Sequence, residues 1–386
     1  MSRIKKLQVI RTMKFEEIYE LRKQKRLSVD EAANLLGVNV RTFRRWSNRY
    51  DEDGTKGLYD KRLERIAKNA APVDEVMKML DLFKTFYTNF NTSHFYDKYR
   101  YEHNGNRCYT WVKNHLQKNN MVSKKKKRGS HRIKRPRAPL KGMMLHQDGS
   151  THQWIQGVYW DLIVTMDDAD SELYSAFFVE EEGTWSSFMG VKEVIEMQGL
   201  FCSFYTDRGS HYWYTPKAGG RVDKRNLTQF GRAMKQLDIQ MIAAYSPEAR
   251  GRSERMFGTL QGRLPNELKL AGIKDMEKAN QFLKDVFLPK HNERFRLKLE
   301  TDKTAFIPFK EGNANLDDIL CIQDTREVKK DNTVHYSGKV YQIPADKNRW
   351  SYAKTKVKIH EHIDKTVSLF DGPRFLARYS KDGNLL

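Results

Sequence analysis

Three acidic residues have the types and settings that phosphoryl-transfer chemistry needs. Asp148 in LHQDGS and Asp207 in FYTDRGSHY each close an apolar, strand-like run, and Glu254 in SPEARGRSERMFGTLQ lies early in a predicted helix. Carboxylates carried by two strand ends and one helix can converge although they are far apart in sequence. Converging carboxylates are hard oxygen ligands for Mg²⁺ or Mn²⁺, and paired ions of this kind promote in-line displacement at phosphorus.

Other acidic residues in the same region have a simpler interpretation. Asp167, Asp168 and Asp170 fall in a predicted hairpin turn, where aspartate forms local hydrogen bonds with the backbone. Glu254 instead lies three residues before Phe257, at the edge of the predicted apolar stripe of its helix. A side chain at that edge can face the strand ends, so Glu254 is the better third carboxylate.

The composition favours a nucleic-acid partner. The chain has 386 residues, with 70 Lys and Arg against 49 Asp and Glu, which gives a formal net charge of +21. A basic excess of this size attracts polyanions such as DNA. A membrane surface is the competing interpretation, but the sequence has no long apolar run or basic amphipathic helix to support it. The N-terminus lacks a signal-peptide pattern and the three cysteines are widely spaced, so we expect a cytoplasmic protein.

Residues 1–65 are predicted to form a helix-turn-helix domain. Ser28 followed by Glu31 is a capping-box signature, Gly37 supplies the tight turn, and a second helix follows from about Val40. Apolar positions such as Phe43 fall on one face of that second helix. A solvated basic helix in an ordinary bundle is the alternative. The opposite face carries side chains suited to reading base edges, namely Asn39, Arg41, Arg44, Arg45 and Asn48.

A second helical domain is predicted at residues 66–122. Pro72 begins its first helix, and Ser93 is expected to cap a later one. The last helix has an apolar stripe that includes Trp111 and Leu116. A second helix-turn-helix and a simple spacer bundle both fit this pattern, and the sequence does not decide between them.

Residues 123–140 are predicted to be a basic linker. The run KKKKRGSHRIKRPR contains nine Lys or Arg and no acidic residue, so self-repulsion favours an extended chain. Between a DNA-reading domain and a phosphate-chemistry domain, such a run is expected to follow the DNA backbone. The predicted DNA contacts here are Lys124, Lys125, Lys126, Lys127, Arg128, Arg132, Lys134, Arg135 and Arg137.

The remaining chain divides into two parts. Residues 141–312 show three strand-like runs followed by alternating helices and strands, which is typical of a ribonuclease-H-like α/β core. Residues 313–386 alternate apolar and polar residues between turn signals, a pattern that fits a small β-barrel or sandwich, and we predict the all-β barrel. The fold class is therefore multidomain: all-α helix-turn-helix N-terminal modules, an α/β catalytic core and a β-rich tail.

These motifs together resemble the signatures of DDE-type transposases and retroviral-integrase-like recombinases. The likeness rests on DGS near a strand end, YTDRGS and SPEARGRSER, and the flanking domains match bacterial insertion-sequence transposases, nearest the ISNCY group. The resemblance implies that Asp148, Asp207 and Glu254 are the catalytic residues and the ligands of two Mg²⁺ ions, which Mn²⁺ can replace. It also implies a homo-oligomer on double-stranded DNA, at element ends and target, with no small-molecule substrate.

The predicted activity is DNA transposition, in which terminal inverted repeats are bound, strands are cut, and 3′-hydroxyl groups are joined to target DNA. Three arginines near Glu254 are expected to hold phosphates, or else are surface charges: Arg250, Arg252 and Arg255. Two other functions remain open. One is a DNA-binding regulator with an inactive core, and the other is a ribonuclease-H-type nuclease that acts on RNA–DNA hybrids.

Overall fold

A computed structural model describes residues 3–60, 71–124, 135–217, 220–245, 251–310, 315–345, 347 and 349–386. The chain divides into two compact units, Met1–Asp81 and Leu82–Leu386, and each is described by itself. Among the helices of the described ranges, none is both long and apolar enough to cross a membrane.

The first unit contains the predicted helix-turn-helix. Ser28 Oγ accepts a hydrogen bond from the Glu31 amide at 3.2 Å, and Glu31 Oε2 accepts one from the Ser28 amide at 2.7 Å, which confirms the capping box. Gly37 ends that helix at φ 67°, a left-handed conformation that glycine adopts readily. The elements are α1 (Arg3–Lys23), α2 (Val29–Leu36), α3 (Val40–Asp53) and a 3₁₀ turn (Gly54–Leu58).

A small aromatic core holds these helices together. Phe15 of α1, Ala33 of α2 and Phe43 of α3 are each at most 2% exposed. Trp46 and Tyr50 pack against the same cluster from successive turns of α3. The apolar face predicted for this helix is therefore the buried one, and its polar face is free to point outward.

Three further helices follow, and the boundary between the units falls within the first. The predicted cap at Ser93 is wrong, because the helix begins one residue earlier and Asn91 Oδ1 accepts from the His94 amide at 2.9 Å. Leu116 is fully buried as expected, whereas Tyr109 is 40% exposed. The helices are α4 (Val73–Phe86), α5 (Thr92–Tyr101) and α6 (Tyr109–Lys118).

A mixed five-stranded sheet forms the centre of the second unit. The strand order is β3-β2-β1-β4-β5; the first three strands in sequence are antiparallel neighbours, and β4 and β5 run parallel to β1. The predicted mixed α/β arrangement is thus confirmed. The strands are β1 (Leu145–Ile155), β2 (Val158–Asp167), β3 (Leu173–Val179), β4 (Ser203–Thr206) and β5 (Gln240–Ala243).

Helices cover both faces of this sheet. On one face, Phe188 and Phe230 pack against Phe204 of β4. On the other face, Phe257 and Leu260 share a cluster with the second and third strands. The first layer is α7 (Thr184–Gln198) and α8 (Gln229–Gln236); the second is α9 (Gly251–Gln261), α10 (Leu264–Leu270), α11 (Met276–Phe282), a π-helical segment (Leu283–Phe287) and α12 (Leu288–Phe295).

The C-terminal part is all-β after one short helix, but the predicted barrel is wrong. Barrel closure requires hydrogen bonds between the first and last strands, whereas the described strands form a four-stranded sheet, β11-β10-β9-β6, and a separate hairpin, β7-β8. Tyr341 and Tyr379 join the two sheets with ring centroids 5.0 Å apart. The elements are α13 (Leu316–Ile319), β6 (Ile322–Glu327), β7 (Thr333–Tyr336), β8 (Lys339–Gln342), β9 (Lys356–Glu361), β10 (Val367–Asp371) and β11 (Arg374–Tyr379).

Candidate active site

Asp148 and Asp207 lie at the same level of two neighbouring parallel strands. His146 of β1 is paired with Tyr205 of β4, and their ring centroids are 5.0 Å apart on one face of the sheet. Because side chains alternate along a strand, each aspartate, two residues further on, lies on that same face. Neighbouring strands are about 4.8 Å apart, so the two carboxylates start from adjacent backbone positions. Asp148 is 8% exposed and Asp207 is half-buried.

The backbone around these aspartates is held by hydrogen bonds. Asp207 Oδ1 accepts from the Gly209 amide at 2.8 Å, which turns the chain sharply after β4. Tyr212 is buried behind the turn, and its hydroxyl donates to Gln147 Oε1 at 2.9 Å. Burial raises the pKa of Tyr212, and the charges of nearby carboxylates, Asp207 and Asp148 among them, raise it further. The phenol therefore stays a neutral hydrogen-bond donor beside the acidic pair.

Gly149, the residue after Asp148, allows a close contact on the opposite face of β1. A Cβ atom at this position would lie 2.2 Å from Glu182 Oε2. His211 Nε2 is 3.4 Å from the other oxygen of the same carboxylate. Asp148 thus places a carboxylate on one face of β1, and Gly149 leaves room for the carboxylate of Glu182 on the other. Sequence analysis did not identify Glu182 or His211.

Glu254 lies on α9, which is fixed to the sheet near both of its ends. At the start of the helix, the Arg252 guanidinium donates to Asp168. At the end, Gln261 Nε2 donates to Ser150 Oγ of β1 at 3.0 Å. Asp168 also bonds His146, so α9 runs along β1 over the stretch that contains Asp148. Glu254 is exposed and falls between the two attachments.

The donors at this site suit a hard divalent cation, although they are not yet gathered around one. Asp148 and Asp207 present carboxylate oxygens, which Mg²⁺ prefers. Within the described ranges, no three His, Cys, Asp or Glu side chains are grouped so that they could hold a metal ion. The exposed carboxylate of Glu254 lies on a helix that packs on the same face of the sheet as the two aspartates.

The turn predicted around Asp167 and Asp168 is only partly local. Asp167 accepts from the Ala169 amide at 2.7 Å, as expected for a turn aspartate. For Asp168 the prediction is wrong, because its fully buried carboxylate bonds His146 Nε2 at 2.7 Å and the guanidinium of Arg252. Both partners are distant in sequence, so the acid belongs to the tertiary structure of the site and not to its turn.

The arginines predicted to hold phosphates have different environments. Arg250 lies outside the described residues. Arg255 is exposed, and its Nε donates to the Gly251 carbonyl at 3.1 Å within the first turn of α9. Arg252 is only 12% exposed in its side chain, so to contact DNA it would have to leave Asp168.

The predicted base-reading side chains all lie on the exposed face of α3. Asn39, its N-cap, is also engaged locally, because its Oδ1 accepts from the Thr42 amide at 2.7 Å. The cap leaves the side-chain amide NH₂ outside the helix. The exposed residues of this face are Asn39, Arg41, Arg44, Arg45 and Asn48.

The basic linker is described only at its two ends. Lys124 is exposed at the first. At the second, Arg135 bonds Asp168, and Arg137 Nη1 donates to the Asp168 carbonyl at 2.8 Å. These contacts attach the end of the linker to the candidate site. The other predicted DNA contacts lie outside the described residues: Lys125, Lys126, Lys127, Arg128, Arg132 and Lys134.

A second buried carboxylate, Glu267 of α10, joins the helical segment at 82–122 to the core. It accepts from His94 Nε2 at 2.6 Å and from Lys98 Nζ at 2.9 Å, both on α5. Arg263 Nη1 bonds Asp97 Oδ2 at 2.8 Å alongside. A cavity of about 580 Å³ opens beside this network. Sequence analysis did not anticipate this packing, and the second helix-turn-helix stays a prediction.

Comparison with known proteins gives one domain match and several relatives. Residues 17–65 match the helix-turn-helix domain family. The putative transposase y4bF of Sinorhizobium fredii (strain NBRC 101917 / NGR234) is 26% identical over 343 residues, 88% of this chain and 74% of that protein. The transposase for insertion sequence IS1202 of Streptococcus pneumoniae is 29% identical over 241 residues, 61% of this chain. The chain spans about half the length of this second relative, since the match covers 50% of it.

Among solved structures, the catalytic core domain of HTLV-2 integrase in complex with magnesium is similar over 38% of this chain and 84% of its own. The sequence identity is 15% and the TM-score 0.30, which is too low to establish a shared fold. The sequence relatives and the domain match are more specific. They confirm the resemblance derived from the motifs: the chain is a relative of insertion-sequence transposases and carries an N-terminal helix-turn-helix domain.

Proposed function

We propose that the chain is a DNA transposase that binds the terminal inverted repeats of a mobile element, cuts strands there, and joins the new 3′-hydroxyl groups to target DNA. The observation that carries the proposal is the placement of Asp148 and Asp207 at one level of β1 and β4, beside the helix of Glu254. The strand order is the one expected of a ribonuclease-H-like core. The names of both sequence relatives support the same activity.

Recognition of the element ends is assigned to α3. Its core side packs on Phe15, and its exposed side carries three arginines and two asparagines. Arginine pairs with guanine and asparagine with adenine in the major groove, each through two hydrogen bonds. Arg135 and the basic residues before it add contacts to phosphates, which raise affinity without reading sequence. A homo-oligomer on paired ends is part of the same proposal.

Asp148, Asp207 and Glu254 would hold divalent metal ions. When bound, Mg²⁺ lowers the barrier to in-line displacement by stabilising charge on the attacking and leaving oxygens. In cleavage, a water oxygen bonds to phosphorus as the P–O3′ bond breaks, and the leaving oxygen takes up a proton to become a 3′-hydroxyl. In transfer, that hydroxyl loses its proton and its oxygen bonds to a target phosphorus as the P–O3′ bond of the target strand breaks, and the released 3′-oxygen takes up a proton. The reaction forms no covalent intermediate with the protein, so no nucleophilic Ser or Tyr is needed.

The proposal is tested with DNA carrying the inverted repeats that flank the coding sequence. Asp148→Asn, Asp207→Asn and Glu254→Gln should each abolish Mg²⁺-dependent strand cleavage and leave end binding unchanged, because they remove ligand charge and not DNA contacts. Glu277→Gln is the matched control, since Glu277 is also an exposed glutamate in the first turn of a helix. It should cleave like the parent.

Several outcomes contradict the proposal. Full cleavage by one variant removes that residue from the site. End binding by the parent without any cleavage favours a regulator with an inactive core. Cleavage confined to RNA–DNA hybrids favours a ribonuclease-H-type nuclease. Arg45→Ala is the reciprocal variant, expected to lose discrimination between end DNA and random DNA by roughly 1–3 kcal/mol.

A further inference from the structure

Asp168 lies in the turn after β2, and its carboxylate accepts more hydrogen bonds than a turn aspartate needs. Its carboxylate is fully buried and accepts from His146 Nε2 at 2.7 Å and from the Ala138 amide at 2.7 Å. The guanidinium groups of Arg135 and Arg252 bond the same carboxylate. Four separate segments of the chain therefore meet at one buried charge.

The hydrogen bond from His146 links Asp168 to both strands of the candidate site. His146 lies two residues before Asp148 on the same face of β1, so its bond to Asp168 fixes that face. Its ring also packs on Tyr205, which stands two residues before Asp207. The cluster around Asp168 thus holds the residues that precede the two aspartates on this face of the sheet.

The ion pair with Arg252 links Asp168 to the helix of Glu254. Arg252, two residues before it, bonds Asp168 and also donates to the carbonyls of Arg135 and Pro136 at 2.7 and 2.9 Å. These bonds fix the first turn of α9, where helices otherwise fray. The far end of α9 is held by a neutral hydrogen bond from Gln261 to Ser150, and Phe257 and Leu260 pack on the sheet between the two ends. The ion pair at Asp168 therefore acts directly on the turn that carries Glu254.

The charge state of the cluster suits this purpose. Burial opposes ionisation of Asp168, but hydrogen bonds from His146, Arg252 and the Ala138 amide outweigh it and lower its pKa. A buried carboxylate whose hydrogen-bond partners are all in place fixes the positions of those partners. Removing one partner strongly destabilises the folded protein.

We propose that Asp168 is a positioning residue for the catalytic carboxylates. It holds the first turn of α9 against β1, and it thereby sets Glu254 at the level of Asp148 and Asp207. By binding Arg135 it also ends the basic linker beside the site, so that DNA on the linker arrives there. This inference rests on the proposed function, in which the three carboxylates form one site.

The test compares Asp168→Asn with Asp167→Asn. Asp167 is the matched control because it is equally buried but bonds the Gly142 amide and Tyr174, on the other side of the sheet. Asp168→Asn should lower both DNA-free Mn²⁺ affinity, measured by electron paramagnetic resonance, and single-turnover end cleavage, each by about 10–100-fold. Asp167→Asn should leave both unchanged, even where its melting temperature falls.

A second pair of variants keeps the test decisive if Asp168→Asn does not fold. Arg252→Gln should weaken Mn²⁺ binding without DNA, and Arg252→Lys should restore part of it, whereas a residue that only contacts DNA would change neither. The inference is overturned if Asp168→Asn, or failing that Arg252→Gln, binds Mn²⁺ like the parent, or if Asp167→Asn shows an equal loss. If the parent itself neither binds Mn²⁺ nor cleaves, it is the proposed function that fails.

Discussion

Asp168 and Glu267 are both buried carboxylates that pair with one histidine and with basic side chains. Asp168 is 0% exposed and bonds two arginines, whereas the Glu267 side chain is 19% exposed and bonds Lys98. The larger difference between the two carboxylates is in which elements of the fold carry their partners. Those of Asp168 are β1, α9 and the end of the linker, while those of Glu267 are on α5, away from the site. The same chemistry therefore joins β1, α9 and the end of the linker in one place and packs helices together in the other.

The largest expected difference is in stability after the carboxylate is removed. Asp168→Ala leaves two arginines and a histidine without their buried acceptor, and it should lower the free energy of unfolding by about 3–5 kcal/mol. Glu267→Ala should cost about 2 kcal/mol, since water reaches the Glu267 carboxylate and screens its ion pair with Lys98. Urea unfolding of the two variants measures both values. Equal losses in the free energy of unfolding would show that the exposure of the carboxylate does not decide how strongly each network stabilises the fold.

The pH dependence of Glu267→Gln sharpens the comparison. Burial alone would raise the pKa of Glu267, but hydrogen bonds from His94 and Lys98 lower it to about 2, below the ordinary 4.5. The stabilising contribution is then complete above pH 4.5 and is lost as the pH falls toward 2. We expect the variant to be less stable than the parent by about 2 kcal/mol at pH 6, after allowance for screening.

That gap should close between pH 4.5 and 2, and end cleavage per folded molecule should stay at the parent level. Thermal unfolding across this range measures the gap. A gap that is constant with pH would mean that Glu267 stabilises through its shape and not through its charge. A loss of cleavage at pH 7 would mean that this network also reaches the site.

The smallest effect is expected at the neutral attachment of α9. Gln261→Ala removes one hydrogen bond to Ser150, and it should cost about 1 kcal/mol in the free energy of unfolding. Its cleavage rate should fall less than that of Asp168→Asn, because the ionic end still sets the first turn. A larger loss for Gln261→Ala would assign the positioning of Glu254 to the wrong end of the helix.

Local patterns predicted much of the fold. The spacing of Ser28 and Glu31 is a property of a few consecutive residues, and the capping box formed as expected. Short apolar runs located β1 and β4, although β1 continues to Ile155 and is not closed by Asp148 as expected. The cap at α5 was missed because Ser93 and Asn91 are both capping types, and the choice depends on where the helix begins.

Long-range contacts were beyond the sequence patterns. Asp168 has the residue type and position of a turn aspartate, and its partner His146 is 22 positions away while Arg252 is 84. Barrel closure likewise depends on which distant strands pair, which alternation within each strand does not encode. Asp168, whose role was misread, and Glu267, which was missed, both take their partners from other segments.

The contact between Gly149 and Glu182 has a consequence for how such chains can diverge. Since a methyl group at position 149 would overlap the carboxylate of residue 182, the two positions are coupled by excluded volume. A larger residue at 149 is accommodated only if the partly exposed carboxylate of Glu182 moves away, which changes its contact with His211. The residue beside the acid on one side of β1 thus sets where the acid on the other side can lie.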